Sequence, residues 1–70
     1  MNINPKFKIG QKVLIPAGTK TNSSEFLQDC EDIISDIQIS ITKKGVSIRY
    51  HVEKHWDTIF KEKMLQEIKG

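Results

Sequence analysis

One cysteine and two histidines are the residues of this chain whose side chains could act as nucleophile, base or soft metal ligand. Cys30 is the only cysteine, and His51 and His55 are the only histidines among the 70 residues. A cysteine beside a histidine can act as an activated nucleophile. However, Asp29 and Glu31 flank Cys30, and nearby negative charge raises the pKa of a thiol and disfavours the reactive thiolate. We therefore expect no catalytic residues and no enzymatic activity.

The same residues do not predict a metal centre. A structural zinc site uses four ligands, usually arranged in close pairs. His51 and His55 are four residues apart, but we expect them to lie on a strand and in a turn rather than on one helix face. No glycine-rich motif of the types that bind nucleotide phosphates is present. We expect no metal and no cofactor.

Charged residues are segregated along the chain, although the net charge is only +2. Residues 25–36 contain no lysine or arginine, and lysines precede this acidic segment and basic residues follow it. Complementary charge steers a macromolecular partner and affects its association rate more than its affinity. A mixed, solvated surface is the ordinary alternative. The acids of the segment are Glu25, Asp29, Glu31, Asp32 and Asp36.

Phe26 and Leu27 form an apolar pair within the polar stretch of residues 19–30. Interfaces concentrate their binding energy in a few buried aromatic side chains, so this pair could anchor a protein partner. The alternative, which we favour for these side chains, is that they cap the core, because a small core needs all its apolar residues. An acidic surface here could also imitate nucleic acid. The predicted protein-binding residues are Phe26, Leu27, Glu25, Asp29, Glu31 and Asp32.

The basic residues that follow the acidic segment predict an alternative, nucleic-acid-binding surface. Lysine and arginine side chains neutralise phosphates. Sequence-tolerant nucleic-acid sites usually add exposed stacking aromatics, and none can be assigned to this surface. The acidic segment would also repel a phosphate chain, so we favour a protein partner. The residues of the alternative surface are Lys43, Lys44, Arg49 and His51.

Alternating apolar and polar residues predict a β-hairpin over residues 33–52. Such alternation places one apolar and one polar face on opposite sides of a sheet, and a short connection with Gly45 joins the two runs. The doublet Ile33-Ile34 breaks the alternation, which predicts a bend near Ser35-Asp36. We expect the apolar face to form the core: Ile37, Ile39, Ile41, Ile48, Tyr50 and Val52, with the Tyr50 hydroxyl at the rim.

Weaker patterns predict the remaining elements. Residues 11–15 form a first strand, which Pro16 and Gly18 end. The polar residues 19–30 extend this ending into a long connection. Residues 56–60 form a short aromatic strand, for which we favour a core position of Trp56 over an interface position. Residues 61–68 form a terminal helical turn with an apolar stripe.

The order of these elements resembles that of small SH3-like β-barrels. Phe7-Lys8-Ile9-Gly10-Gln11-Lys12-Val13 resembles their F-x-x-G-x-x-V opening, and Phe60-Lys61-Glu62-Lys63-Met64-Leu65 resembles their closing F-x-E-x-x-L. The similarity covers residues 7–66 and extends to KOW and Tudor-type modules and to short uncharacterised barrels of bacteriophages and other mobile elements. It implies a mainly β fold of about five short antiparallel strands with a short C-terminal helical turn. It also implies an accessory protein that binds and modulates a host or defence protein.

Length and composition limit the organisation of the chain. We expect a tail at residues 1–5 and a single domain at residues 6–70. No apolar run reaches the roughly 20 residues that span a bilayer, so we expect no membrane partner. A single cysteine is typical of the reducing cytoplasm. Because a core of this size supplies little stability, self-association through an exposed strand edge is a third hypothesis.

Overall fold

A computed structural model describes residues 4–68, which form five β-strands and one short 3-10 helix. The predicted tail lies mostly outside the described residues, as do the last two residues of the predicted domain. In residues 4–68, no helix has the length and apolar character that a membrane span requires. The elements are β1 (Lys12–Ile15), β2 (Cys30–Thr42), β3 (Gly45–Val52), β4 (Phe60–Lys61), the 3-10 helix (Glu62–Met64) and β5 (Gln66–Glu67).

All five strands belong to one antiparallel sheet with the order β4-β3-β2-β1-β5. The prediction of a mainly β chain with about five antiparallel strands is therefore confirmed. The sheet is open, because β4 and β5 are its two edges and do not pair with each other. The closed barrel expected from the sequence is not confirmed.

The long strand β2 is divided by a bulge into two parts with different neighbours. Residues 30–33 pair with β1, whereas the residues from Ile34 onward pair with β3. The register shifts between Ile34 and Asp36, and an extra residue of this kind bends a strand and increases its twist. The predicted bend near Ser35-Asp36 is confirmed.

The hydrophobic core is small and combines residues that are distant in sequence. Alternate residues of β1 and β3 point into it, as the two-residue period of a strand requires. The ring of Phe7 packs edge-on against that of Tyr50, with 5.4 Å between ring centroids, a favourable aromatic geometry. The buried apolar residues are Phe7, Val13, Ile15, Ile34, Tyr50, Val52, Phe60 and Leu65.

The Tyr50 hydroxyl connects three parts of the fold at the edge of this core. It donates a hydrogen bond of 2.6 Å to Glu62 Oε2 and accepts one of 3.3 Å from the Phe7 backbone N–H. The same Glu62 oxygen accepts the Lys6 backbone N–H at 2.8 Å. The predicted position of Tyr50, in the core with its hydroxyl at the rim, is confirmed. Burial, and then the hydrogen bond to Glu62, raise the pKa of this hydroxyl.

The outer part of the β2–β3 hairpin extends beyond the core. Residues 38–47 are all exposed, and we call this segment the hairpin arm. Ile39 and Ile41 are 44% and 62% exposed, so the prediction that they belong to the core is wrong. The reason is that β1 pairs with β2 only at residues 30–33 and β4 pairs with β3 only at Arg49 and Tyr50. Neither strand therefore reaches the arm.

The end of the chain differs from its predicted structure. The strand expected at residues 56–60 is reduced to Phe60–Lys61, because residues 53–57 form a turn that carries Trp56. The helical turn expected at residues 61–68 is limited to Glu62–Met64, and Gln66 and Glu67 then pair with β1. By contrast, the first strand lies within one residue of its predicted start.

Candidate protein-binding site

The long connection between β1 and β2 is itself an ordered hairpin. Gly18 N–H donates to the Leu27 carbonyl at 2.8 Å, and Leu27 N–H donates to the Thr19 carbonyl at 2.9 Å. Nearer its tip, Thr21 N–H donates to the Glu25 carbonyl at 2.8 Å. We call residues 18–27 the loop hairpin. These backbone hydrogen bonds order residues for which the sequence predicted only a long connection.

Polar side chains tie the loop hairpin to the rest of the fold at both ends. At its base, the Asp29 carboxylate accepts the Ala17 backbone N–H. At its tip, the Asn22 side-chain amide donates to the Asp57 carbonyl at 2.7 Å, and the Asn22 backbone N–H donates to Thr58 Oγ1 at 3.4 Å. Hydrogen bonds at residues 57 and 58 therefore hold the loop hairpin against the turn at residues 53–57.

Each of these two connected segments presents an aromatic side chain to solvent. Phe26 is 71% exposed and Trp56 is 75% exposed. The core interpretation is therefore wrong for both residues, whereas Leu27 is partly buried and packs against the core as that interpretation predicted. A continuous strand was expected because residues 56–60 are rich in aromatic and β-branched side chains, and Trp56 does share its parity with the buried Thr58 and Phe60. The turn interrupts that alternation and leaves the indole outside.

Three of the four acids predicted for the site are exposed, and one is not. Glu25, Asp29 and Glu31 are exposed, and Glu31 lies 3.9 Å from the Lys12 ammonium in a solvent-exposed ion pair. Asp32 is only 2% exposed. Its prediction as a binding residue is therefore wrong, because a carboxylate at this depth does not reach a partner. Asp29 is also partly occupied by its hydrogen bond within the loop.

Asp32 instead holds the turn that carries Trp56. Its carboxylate accepts the backbone N–H groups of Ile33 at 2.8 Å, Lys54 at 3.1 Å and His55 at 3.2 Å. His55 Nδ1 lies 2.9 Å from the same carboxylate. Burial alone would raise the pKa of Asp32, but the hydrogen bonds from Lys54, Ile33 and His55 prevail and lower it. The ionised carboxylate thus fixes the position of the turn.

The predicted basic surface is only partly assembled. Lys43, Lys44 and Arg49 are exposed. His51 is half-buried, and its Nε2 is buried without a hydrogen-bond partner in the described residues, so this nitrogen cannot meet a phosphate. In its place, Lys61 of β4 stands opposite Arg49, and directly opposite residues share one face of a sheet. The sequence pattern missed Lys61 because β4 was expected to end at residue 60.

No family model, curated protein or solved structure matches this chain. Its function is therefore inferred from the residues and contacts described above.

The cysteine and histidines do not form the nucleophile–base pair that their residue types would allow. His55 Nδ1 faces Asp32, while Cys30 is half-buried. Burial, and then the negative charge of Asp32, raise the pKa of the Cys30 thiol, which disfavours the thiolate. In the part of the chain that the structure describes, no three His, Cys, Asp or Glu side chains are placed to hold a metal ion.

Proposed function

We propose that this chain is a non-catalytic protein-interaction module that binds its partner through the loop hairpin and the adjoining turn. The observation that carries the proposal is the exposure of Phe26 and Trp56, at 71% and 75%, on two segments joined by Asn22. Trp and Phe supply large apolar areas, and Trp is strongly enriched among residues that dominate binding energy. Because hydrogen bonds already order both segments, binding would cost little additional conformational entropy.

The exposed acids Glu25 and Glu31 favour a partner with a basic rim. Glu25 is adjacent to Phe26, and Glu25 and Glu31 are both exposed. Opposite charge across an interface speeds association and excludes partners of like charge. The partner we propose is a protein that places an apolar pocket among lysine or arginine side chains.

The SH3-like fold and the accessory role implied by the sequence similarity belong to the same proposal. The observation that supports this fold is the bulge in β2, whose two parts pair with different strands. Bulges bend a strand and increase its twist, and they provide the curvature that a barrel requires. The accessory role makes a cytoplasmic host or defence protein the expected partner.

The test is quantitative affinity capture from cell lysate with the wild-type chain and single variants. Phe26→Ala and Trp56→Ala should each reduce recovery of a specific partner by about tenfold or more, since hot-spot truncations cost about 2 kcal/mol or more. Gln28→Ala is the matched control, because Gln28 is an exposed neighbour in the same connection. Equal recovery by all four proteins would contradict the proposed site. Nuclease treatment should leave the recovery unchanged.

The acidic contribution has its own test on the captured partner. Glu25→Gln with Glu31→Gln should slow association and reduce its dependence on salt. Asp29 and Asp32 are left unchanged, because both carboxylates accept backbone hydrogen bonds within the fold. Glu67→Gln serves as a control at an exposed acid in β5. An unchanged association rate would exclude imitation of nucleic acid by this surface.

Nucleic-acid binding is the second candidate, and the Arg49–Lys61 pair is the observation that favours it. Two cations on one sheet face, together with the exposed Lys43 and Lys44 at the turn of the β2–β3 hairpin, could meet phosphates of one chain. This candidate predicts binding of single-stranded or duplex DNA or RNA at low salt, with a steep loss as salt rises. Lys61→Gln should weaken binding and make the salt dependence shallower. Fluorescence anisotropy measures both, and no binding at low salt would eliminate the candidate.

A further inference from the structure

The hairpin arm has an unpaired strand edge. In residues 4–68, β2 pairs with β1 only at residues 30–33, so its outer edge from Asp36 to Thr42 has no strand beside it. In an antiparallel strand, backbone N–H and C=O groups of alternate residues point to each side. Proteins use proline and charged side chains, especially lysine, to block unwanted pairing of a strand edge. Residues 37–42 of this edge contain no proline, lysine or arginine.

One face of the arm is apolar and uncovered. Ile39 pairs with Ile48, and Ile41 pairs with Val46, so these side chains share a face. Ile39, Ile41 and Val46 are 44%, 62% and 38% exposed. A two-stranded hairpin of this kind is marginally stable in water unless a third strand or another packing partner joins it.

The apolar face continues into a cleft at the base of the arm. The cleft has a volume of about 430 Å³, and its lining includes Phe7, Ile9 and Ile37. Ile9 is itself 67% exposed. An uncovered apolar strip therefore begins beside the core at Ile37 and extends along the arm.

We propose that a second copy of this chain pairs with the outer edge of β2 and forms a two-fold symmetric dimer. Residues 37–41 read Ile-Gln-Ile-Ser-Ile, and their alternation of apolar and polar residues is the same in both directions. In an antiparallel pairing centred on Ile39, Ile37 of one copy stands opposite Ile41 of the other, and polar residues stand opposite polar residues. A two-fold interface requires this self-complementarity.

The fold limits how far the two arms can overlap. The backbone of Gly10 and Gln11 already occupies the edge of β2 at Ile34, with hydrogen bonds of 2.8 and 3.0 Å. In the pairing centred on Ile39, residue 44 of one copy stands opposite residue 34 of the other. The turn of each arm therefore stops where the partner's free edge ends, which favours this register over longer overlaps.

Charge supports the same pairing. The exposed turn residues Lys43 and Lys44 of one copy come beside the exposed Asp36 of the other. Asp36 lies on the polar side of β2 opposite His51. The nearby cation Lys8 instead lines the cleft, which lies on the apolar side of β2 and not on the side of Asp36. Each dimer would thus contain two symmetric contacts between a basic turn and a carboxylate.

Sedimentation equilibrium of the whole chain over a wide concentration range tests the dimer. The wild type should approach twice the 8.1 kDa mass of one chain. Ile39→Lys should weaken dimerisation at least tenfold, because two lysines would then face each other at the symmetry axis. Ser47→Lys is the matched control, since Ser47 is an exposed residue of the other strand and of the polar face, and it should leave the dimer intact. Circular dichroism confirms that each variant is folded.

A charge exchange tests the register. Asp36→Lys should weaken the dimer, and the further changes Lys43→Asp and Lys44→Asp should restore it. A monomer at every concentration would overturn the proposal. A dimer that survives Ile39→Lys, or one that Phe26→Ala dissociates, would also overturn it. These outcomes are independent of the proposed partner site, because no variant of the arm alters the loop hairpin or Trp56.

Discussion

At the scale of single residues, the most consequential side chain is Asp32. Its position within the acidic segment made it resemble a surface residue, yet it is buried and accepts three backbone N–H groups. The local sequence carries little signal for this role, because the N–H groups of Lys54 and His55 lie more than 20 residues away. In contrast, the position of Tyr50 and Val52 on the buried face of β3 could be predicted from the alternation of neighbouring residues alone.

Replacing this carboxylate should destabilise the fold. Asp32→Asn removes the negative charge and one acceptor while nearly preserving volume, and we expect a loss of about 2 kcal/mol in the free energy of unfolding. Urea unfolding at pH 7 measures it. Asp57→Asn, at an exposed position in the same turn, is the control and should change stability by less than about 0.5 kcal/mol. Equal effects of the two changes would contradict the role assigned to Asp32.

The pH dependence of stability provides a second test of the same residue. The pKa of Asp32 is lower in the folded chain than its ordinary value, so the unfolded chain binds the proton more tightly. The stabilisation is present above the unfolded pKa of about 4 and is lost as pH falls through the folded pKa. Unfolding free energies measured below pH 5 should therefore fall more steeply with acid for the wild type than for Asp32→Asn. Parallel curves would exclude this contribution.

Tyr50 provides a test at the rim of the core. Tyr50→Phe removes the donor to Glu62 and leaves the buried Phe7 N–H without its acceptor. We expect a loss of about 1–2 kcal/mol, measured by urea unfolding. Phe7→Leu, which keeps both hydrogen bonds, should instead lower stability by changing core packing. No change in Tyr50→Phe would show that the hydroxyl does not link these segments.

At the scale of elements, the hairpin shows both the strength and the limit of a pattern. The alternation and Gly45 predicted the pairing and the turn, and both are present. The same alternation could not show how far neighbouring strands extend, so it assigned Ile39 and Ile41 to a core that ends before them. The loop hairpin was missed because its polar residues do not alternate with apolar ones, although backbone hydrogen bonds within residues 18–27 form it. Its position depends further on hydrogen bonds from Asn22 to residues 57 and 58, which are distant in sequence.

Hydrogen exchange should reveal the unequal stability of the two parts of β2. Backbone amides within residues 38–47 should exchange much faster than those of Ile34 and Val52 in dilute solution, because exposed arms open locally without global unfolding. At concentrations that favour the dimer, outward amides of β2 should become protected. Uniform protection along β2 in dilute solution would contradict the description of an exposed arm.

At the scale of the whole molecule, residues 4–68 of this 70-residue chain form one core of eight buried apolar residues and leave several large apolar side chains outside it. A domain of this size buries only about 60% of its unfolded surface, and the exposed Phe, Trp and Ile residues contribute little to its limited stability because they remain in water. We propose that contacts with other molecules cover them. The loop hairpin and the hairpin arm would provide two separate surfaces for such contacts.

The fluorescence of Trp56 tests the central claim most directly, because it is the only tryptophan. In the free chain, acrylamide should quench its emission nearly as effectively as that of a free indole, since the side chain is 75% exposed. In the complex with the captured partner, with the partner's own tryptophans replaced by phenylalanine, the emission should shift to shorter wavelength and quenching should fall severalfold. Unchanged emission and quenching in the complex would contradict a partner site at this turn.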